Sequence, residues 1–482
     1  MRLFFIICLL IVASPVYAVR VQILHSNDLH SHFEGGDGLG GYARMKTVVD
    51  RLRAEATAQG MATLFLDGGD FGEGSSFFFA ENGATALRLL DDLGIDATVI
   101  GNHDLLQGGE ELAVLLKRTN IKADVLAANL SDKFLNETNG LVKSLVVKSI
   151  AGVRIGIAGL TTSELHYQYA IRETGKVKNP LKEVGRIEKL AKDAHVDFFI
   201  ALTHIGSKTD VKLVERSRSI DLVVGAHSHE RLDQPIMARN FNRKRIPIVQ
   251  AGAHAMAIGQ VIVDIDPVAK KHQLISSQVH LIPKTTAVNS QVQSKVEAAK
   301  KSREAYFGRS WNEPVGRSQI SLTGHVNGRT AMKRSCWGKH LAVMLRDRTG
   351  ADVGIHASGF TGDTISPGVI TFGDLIDNFP HFRSFGDRGW TIGTVKLPGA
   401  VIRSVHALVN RLDLGLDMAM PKSKIDGRAW VMAFPTEIAY GLEQTVPMLK
   451  GLVARHTTDT GISYWESMEG HVRDYSPLTC LP

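Results

Sequence analysis

The chain has 482 residues, which is too long for one hydrophobic core and favours two domains. Its 44% hydrophobic and 22% charged residues are ordinary for a soluble globular protein. The net charge of +7 is mild over this length, and the absence of a dense Lys/Arg run argues against nucleic acid as a partner.

The N-terminal stretch "MRLFFIICLLIVASPVYAVR" predicts a secretory signal peptide over residues 1–18. Arg2 provides a positive start, residues 3–12 form an apolar core, and Val16-Tyr17-Ala18 resembles a cleavage site. The apolar run is short for a bilayer span and no later run is long enough, so the mature chain is expected to lack one. The protein is therefore expected to be secreted or periplasmic, starting at Val19.

Five short apolar runs in the first half of the chain end in Asp, Asn or His side chains. They are "VRVQILHSNDLHSH" with Asp28 and His30, "ATLFLDGGD" with Asp70, "ATVIGNHD" with Asn102 and His103, "DFFIALTHIG" with His204, and "IDLVVGAHSHE" with His227 and His229. Such runs predict buried strands, and helical patterns between several of them predict a layered α/β domain. One helix is expected in "NGATALRLLDDLG", with Ala84 and Leu87 on its buried face and Gly94 as its stop. Polar groups at such strand ends gather on one rim of the sheet, where ligands bind.

The pattern changes after residue 284. Residues 19–284 are predicted to form the first domain, residues 285–312 a linker helix built on "SQVQSKVEAAKKSREAYF", and residues 313–482 a second α/β domain. The final stretch, 452–482, is predicted to be irregular. Cys336 and Cys480 remain after cleavage of the signal peptide, and the sequence leaves open whether they pair or stay free.

The polar residues at the strand ends offer only oxygen and nitrogen donors, which argues against a structural zinc knot. The candidate ligands are Asp28, His30, Asp70, Asn102, His204, His227 and His229. Two divalent cations that share one carboxylate, about 3.5–4 Å apart, fit this number of donors. Taken singly, these residues also suit solvated loops, helix N-caps or turns.

The chain resembles the 5′-nucleotidase family of binuclear metallophosphatases. The matching pieces are "ILHSNDLHSHFE", "LFLDGGDFGEGS", "VIGNHD", "VLAANL", "LTHIGSKTD", "VVGAHSHE" and "VQAGAHAMAIG". The resemblance implies a β-sandwich flanked by helices, and in-line attack of a metal-bound hydroxide on a phosphate ester. It also implies a ligand assignment, in which Asp28, His30 and His229 hold one cation, Asn102, His204 and His227 hold the other, and Asp70 bridges them. Mn, Zn or Co are the expected metals.

His103 matches the catalytic histidine of this family. The family places an orienting Asp three residues later, where this chain has Leu106, and Asp104 is the local substitute. Asp104 is therefore a second candidate catalytic residue, and Leu106→Asp is expected to raise the rate unless Asp104 already orients His103. His32 is expected to face solvent, and "SSFFFA" at 75–80 is expected to serve packing.

The second domain departs from the family's nucleoside pocket. His356 stands at an Asn position, Thr361 at an arginine position, and Glu437 near the second of two base-stacking rings. His381, Phe382 and Arg383 remain to line a different pocket, and the substrate-binding residues stay unassigned.

Three functions stay open at this point. The first is a secreted dimetal phosphoesterase that acts on a small-molecule phosphate ester, possibly a nucleotide. The second is a thiosulfohydrolase-like hydrolase of sulfur esters, and the third is a non-catalytic metal-binding or partner-binding relative. The sequence does not fix the ester, the metals or the oligomeric state.

Overall fold

The computed structural model describes residues 18–36, 38–105, 108–163, 177–323, 325–326, 329–330, 335–381, 389–412 and 414–481. The predicted signal peptide lies outside these ranges except for Ala18. Among the described residues, none of the helices combines the length and the apolar character that crossing a bilayer requires.

The first part of the chain alternates strands with helices, as its sequence predicts. Its strands are β1 (Val19–Ser26), β2 (Ala62–Asp67), β3 (Ala97–Val99), β4 (Asp124–Leu126), β5 (Val142–Lys143), β6 (Leu145–Ile150), β7 (Val153–Thr161), β8 (Phe198–His204), β9 (Leu222–Val224), β10 (Ile236–Arg239), β11 (Arg245–Val249), β12 (Ala257–Asp266) and β13 (Lys271–Leu281). Its helices are α1 (Tyr42–Ala58), α2 (Ala84–Leu93), α3 (Gly109–Thr119), α4 (Asp132–Glu137), α5 (Val184–Asp193) and α6 (Ser207–Arg216).

These strands form two sheets that face each other. The spatial order is β13-β12-β1-β2-β3-β4-β5 in the first sheet and β10-β11-β9-β8-β7-β6 in the second. Strands β1 to β4 pair in parallel, and so do β7 to β9, which places their carboxyl ends on one side. One apolar core contains side chains of both sheets, such as Leu64 and Ile200. Two further apolar cores lie between the sheets and the helices. Leu87 of α2 belongs to one and Leu213 of α6 to the other, which confirms the sandwich flanked by helices.

Two helices confirm their sequence predictions. Helix α2 buries Ala84 and Leu87 and ends at Gly94, whose φ of 82° suits the left-handed cap that glycine tolerates. The second is the predicted linker helix, α7 (Ser290–Phe307). It begins after Asn289, whose side chain accepts a hydrogen bond from the backbone N–H of Val292. It packs Val292 against the core of the first domain. The boundaries of the linker at 285 and 312 stay a prediction.

The second part of the chain forms its own α/β core. Its strands are β14 (Pro314–Ser318), β15 (His325–Val326), β16 (Arg329–Thr330), β17 (Val353–Ala357), β18 (Gly368–Thr371), β19 (Thr391–Pro398), β20 (Leu416–Ala419), β21 (Ala429–Pro435) and β22 (Thr458–Ser463). Its helices are α8 (Cys336–Thr349), α9 (Phe372–Asn378), α10 (Gly399–Leu412), α11 (Ala439–Thr445) and α12 (Tyr464–Tyr475). A sheet of order β20-β17-β21-β19-β22 carries the core, which includes Trp337 and Phe434.

The prediction that residues 452–482 are irregular is wrong, because β22 and α12 lie within them. Helix α12 buries Tyr464, Met468 and Val472, which are spaced four residues apart. Polar residues between these positions hide the helical period. Ser463 caps the helix by accepting from the backbone N–H of Glu466.

The "SSFFFA" segment ties the two domains together, which agrees with a packing role. Phe77 lies in the core of the first domain, whereas Phe78 and Phe79 lie in the core of the second. Arg303 on α7 donates to Ser76 Oγ at 3.0 Å, and its guanidinium lies 4.3 Å from the ring centroid of Phe77.

Cys336 and Cys480 form a disulfide that joins the C-terminal tail to α8, across 144 residues of sequence. We expect Cys336→Ser to lower the free energy of unfolding by roughly 2–5 kcal/mol, because the unfolded chain regains the entropy of an open loop. Denaturant unfolding of oxidised wild type, reduced wild type and the variant measures this. Reduced wild type should match the variant, and equal midpoints for oxidised and reduced protein would contradict the expectation.

Candidate metal centre

The five strand ends bring their polar side chains to one place, through loops with an unusual backbone. Five of the seven candidate ligands have a positive φ, between 48° and 76°: Asp28, His30, Asp70, His227 and His229. This region is uncommon for residues with a side chain, and such conformations cluster at functional sites. Gly74, in the loop after β2, also has a positive φ, of 139°. A Cβ at this position would lie 2.6 Å from the Cβ of His30, so only glycine fits.

The first group of donors consists of Asp28, His30 and His229, whose ligand atoms lie within 4.8 Å of one another. The Nε2 atoms of His30 and His229 are 3.1 Å apart, and Nε2 of His229 is 3.4 Å from Oδ1 of Asp28. Asn27 holds the Asp28 carboxylate in place through an N–H···O contact of 2.6 Å. Burial raises the pKa of Asp28, but the charge and hydrogen bond of His229 together with the charge of His204 outweigh it and lower that pKa to about 2.

The second group is built around His204, which is fully buried. Its Nε2 lies 3.0 Å from Oδ2 of Asp70, 3.1 Å from Oδ1 of Asn102 and 3.8 Å from Oδ1 of Asp28. The same Oδ2 of Asp70 is 3.6 Å from Nε2 of His30, so one oxygen faces both groups. Burial raises the pKa of Asp70, but the charges of His204 and His103 hold it well below its ordinary value.

His227 stands at the edge of this arrangement. Its backbone N–H donates to the carboxylate of Asp28 at 3.0 and 3.1 Å. Its ring centroid lies 5.1 Å from that of His204. Within the described part of the chain, His227 is not a member of the compact groups of His and Asp donors.

The donors fit divalent cations. Nδ1 of His30 contacts the backbone carbonyl oxygen of Glu73 at 2.5 Å, and Nδ1 of His204 contacts that of Gly68 at 2.7 Å. Each carbonyl oxygen accepts a hydrogen bond from the Nδ1–H, so Nε2, on the side of the carboxylates, is the nitrogen that would give its lone pair to a cation. This is the tautomer that a metal-binding histidine uses, and the nitrogen and oxygen donors suit Mn, Zn or Co.

His103 lies beside these groups, and the structure corrects the expectation about its partner. Its Nδ1 contacts Oε2 of Glu73 at 2.7 Å, while its backbone N–H donates to Oδ1 of Asp70 at 2.8 Å. Burial lowers the pKa of His103, but the charge of Asp70 and the hydrogen bond to Glu73 outweigh it and raise that pKa to about 9. Sequence reasoning missed Glu73, whose one available signal was a lone carboxylate between Gly72 and Gly74.

Asp104 supports the loops instead of orienting His103. Its carboxylate accepts from the backbone N–H groups of Asp70 (2.9 Å), Gly72 (3.1 Å) and Gly101 (2.9 Å). The expectation that Asp104 is the acceptor for the His103 ring is therefore wrong, because that ring contacts Glu73. Its short side chain turns back toward the loop that follows β2.

We expect Asp104→Ala to lower the free energy of unfolding by roughly 2–5 kcal/mol, because it leaves three buried N–H groups without an acceptor. Denaturant unfolding of metal-free protein measures this without any contribution from bound cations. Asp104→Asn keeps one acceptor oxygen, so its free energy of unfolding should lie between those of the wild type and Asp104→Ala. A loss below about 0.5 kcal/mol for Asp104→Ala would contradict the supporting role.

The expectation that His32 faces solvent is also wrong. Its exposure is 6%, and its ring stacks on His254 with centroids 3.9 Å apart and planes at 20°. The ring of His254 in turn lies 5.4 Å from that of His229. A tertiary contact between distant loops therefore buries His32.

In the second domain, the residues at the family's pocket positions mostly contact other residues of the same domain. Thr361 donates to the carbonyl oxygen of Ser358 at 2.8 Å, and Nδ1 of His356 lies 3.1 Å from the hydroxyl of Tyr464. The two carboxylate oxygens of Glu437 are buried without a hydrogen-bond partner among the described residues, and burial raises its pKa well above its ordinary value. Phe382 and Arg383 lie outside the described residues.

The fold and the donors define a class of protein. Residues 21–231 match the calcineurin-like phosphoesterase family model, and this stretch contains the whole candidate centre. The chain therefore carries the domain of a metal-dependent phosphoric ester hydrolase.

Comparison with individual proteins shows which known hydrolases this chain resembles. The chain is 28% identical over 407 residues to a 5′-nucleotidase of Vibrio cholerae serotype O1, covering 74% of this chain and 71% of that one. The fold matches a 5′-nucleotidase precursor of Thermus thermophilus with a TM-score of 0.80 at 21% identity, over 96% and 98% of the two chains. It also matches the sulfate thiohydrolase SoxB of Thermus thermophilus with a TM-score of 0.73 at 15% identity, over 97% and 96%. The chain is thus similar to 5′-nucleotidases over most of its length, and its residues 21–231 carry a calcineurin-like phosphoesterase domain.

Proposed function

We propose that this protein is a secreted or periplasmic phosphoesterase that hydrolyses phosphate esters with two divalent cations. One observation carries the proposal. Oδ2 of Asp70 lies 3.0 Å from Nε2 of His204 and 3.6 Å from Nε2 of His30, so a single carboxylate oxygen faces both donor groups. A carboxylate oxygen between two donor groups suits a pair of cations about 3.5–4 Å apart.

The proposed ligands follow from the two groups. Asp28, His30 and His229 hold one cation, Asn102, His204 and His227 hold the other, and Asp70 contacts both. When bound, the cations supply Lewis acidity toward a phosphoryl oxygen and lower the pKa of water. The protein contributes buried carboxylates and histidines whose orientation the backbone carbonyls of Glu73 and Gly68 already fix.

His103 is proposed as the residue that stabilises charge on the phosphoryl group. Its Nδ1 contacts Glu73, and the other ring nitrogen, Nε2, is proposed to hold a proton toward the substrate. A positively charged ring beside the donor groups of His30 and Asp70 favours the negative charge that develops during hydrolysis.

The ester is proposed to differ from an ordinary nucleotide. The hydroxyl of Thr361 is bonded within its own loop, and a carboxylate, Glu437, stands near the place of a stacking ring. Stacking of a base on aromatic rings contributes roughly 1–3 kcal/mol per contact, and we propose that this contribution is smaller in this protein. The relatives named 5′-nucleotidase keep nucleotides among the compounds to test.

A substrate panel tests this proposal. The full chain is assayed with Mn, Zn and Co on p-nitrophenyl phosphate, adenosine monophosphate, sugar phosphates and a thiosulfonate ester. We expect metal-dependent hydrolysis of the aryl phosphate and no selective preference for adenosine monophosphate. A tight, selective response to adenine nucleotides would contradict the pocket argument, and turnover of the thiosulfonate alone would favour the sulfur-ester alternative.

The cellular compartment is proposed from two features. Residues 1–18 have the pattern of a signal peptide, and the Cys336–Cys480 disulfide suits an oxidising compartment. N-terminal sequencing of protein recovered outside the cytoplasm should begin at Val19. Recovery of the chain only in the cytoplasm, with Met1 retained, would contradict this part of the proposal.

A further inference from the structure

The Glu73 carboxylate lies between one histidine of each domain. Glu73 is 2% exposed and sits in the loop after β2. Its Oε2 contacts Nδ1 of His103 at 2.7 Å, and its Oε1 lies 3.8 Å from Nδ1 of His381, in the loop that follows α9 of the second domain. One carboxylate thus links the candidate catalytic ring to the second domain.

The second domain holds His381 in a fixed orientation. Nε2 of His381 donates to the carbonyl oxygen of Phe360 at 2.8 Å. Its ring stacks on Trp390 with centroids 4.6 Å apart and planes at 20°, and Phe379 packs edge-on at 4.8 Å. These contacts lie within the second domain, and they orient the ring so that its Nδ1 faces Glu73.

The first domain fixes Glu73 from the other side. Its backbone carbonyl accepts from Nδ1 of His30, so the main chain of Glu73 orients a candidate ligand while its side chain reaches His103. Burial raises the pKa of Glu73, but the hydrogen bond of His103 and the charges of His103 and His381 outweigh it and hold that pKa well below its ordinary value.

We propose that Glu73 is the positioning residue of His103 and that His381 holds Glu73 in place from the second domain. A carboxylate on Nδ1 fixes the ring and directs Nε2 toward the substrate. The second domain thereby contributes to the rate of the chemical step. The proposal rests on the proposed phosphoesterase function and gives the acceptor role, absent at Leu106, to a residue of another loop.

A double-mutant cycle separates positioning from general support of the fold. We expect Glu73→Ala to lower kcat roughly 10–100-fold with KM and metal content nearly unchanged, as for other partners of active-site residues. His381→Ala should lower kcat by less. Both substitutions should have almost no further effect in a His103→Ala background, because each acts through that ring.

The control is Glu443→Gln, at a buried glutamate that accepts from the backbone N–H groups of Val453 and Ala454. The amide keeps that acceptor, and kcat should stay at the wild-type value. Glu73→Gln should recover part of the activity lost in Glu73→Ala, because its amide oxygen still accepts from Nδ1. Losses that add fully to that of His103→Ala would overturn the proposal.

Proton NMR of the zinc-loaded full chain with ¹⁵N-labelled histidine gives a readout that does not depend on turnover. The Nδ1–H signal of His103, assigned by its loss in His103→Ala, should shift in Glu73→Gln and in His381→Ala. If the wild type hydrolyses no ester but the signal shifts as expected, the proposed function fails and the positioning role stands. A signal that both substitutions leave unchanged would overturn the positioning role.

Discussion

The Asp70→Asn variant is expected to bind at most one divalent cation per chain and to lose activity on the order of 10³-fold. Oδ2 of Asp70 lies 3.0 Å from Nε2 of His204 and 3.6 Å from Nε2 of His30, closer than Oδ1 of Asp28 lies to His229 and His204, so it is the oxygen proposed to neutralise two cations. A neutral amide cannot do this, and losing about 4 kcal/mol of charge stabilisation corresponds to that factor in rate. Elemental analysis and kcat on p-nitrophenyl phosphate measure the two effects.

Asn at position 70 can still accept from the backbone N–H of His103, so the local fold should persist. The matched control is Asp210→Asn. Burial raises the pKa of Asp210 to about 7, and its Oδ1 accepts from the hydroxyl of Thr203 at 2.7 Å. An amide should replace it with two cations still bound. Two cations and unchanged activity in Asp70→Asn would rule out the shared carboxylate.

The second large effect is expected at His103. His103→Ala should lower kcat roughly 10²–10⁴-fold, the range for a positioned acid–base group. Metal content should stay at the wild-type level, because the ring contacts Glu73 through Nδ1 and the metal donors retain their own backbone partners. Rates measured at equal metal occupancy separate the two contributions.

His456→Ala, at an exposed histidine of the second domain, is the control for a general effect of removing a ring. Unchanged kcat in His103→Ala would show that His103 does not act on the substrate. Leu106→Asp, at a position outside the described residues, is no longer expected to raise the rate. Glu73 already gives His103 the acceptor that an Asp at position 106 would provide.

The sequence predicts which polar side chains gather at the candidate metal centre, because their positions follow from simple rules. Buried strands are readable from runs of Val, Ile, Leu and Phe, and each of these runs ends in Asp, Asn or His. Parallel pairing then brings the carboxyl ends of β1, β2 and β3 together, and likewise those of β8 and β9. Asp28, His30, Asp70, His204 and His229 consequently meet, as expected from their places in the chain.

The partner of His103 could not be predicted in the same way. The contact with Glu73 joins residues 30 positions apart and depends on a loop that contains Asp70 at φ 54° and Gly74 at φ 139°. Neither backbone conformation follows from local propensity. Asp104 is next to His103 in the sequence, which suggested it as the acceptor for that ring. Its carboxylate instead accepts hydrogen bonds from backbone N–H groups.

Contacts within the second domain escaped prediction for a related reason. His381 stacks on Trp390, nine positions later in the chain, while the disulfide joins Cys336 to Cys480 over 144 residues. Both pairings are tertiary contacts that no local sequence pattern marks. The sequence accordingly left the disulfide open and the pocket unassigned.

Anomalous diffraction from crystals grown with Mn²⁺ tests the central claim most directly. The account predicts two manganese peaks about 3.5–4 Å apart. One should lie among Asp28, His30 and His229, the other beside Asn102 and His204, and Asp70 should contact both. A single peak, or two peaks of which only one contacts Asp70, would contradict the account.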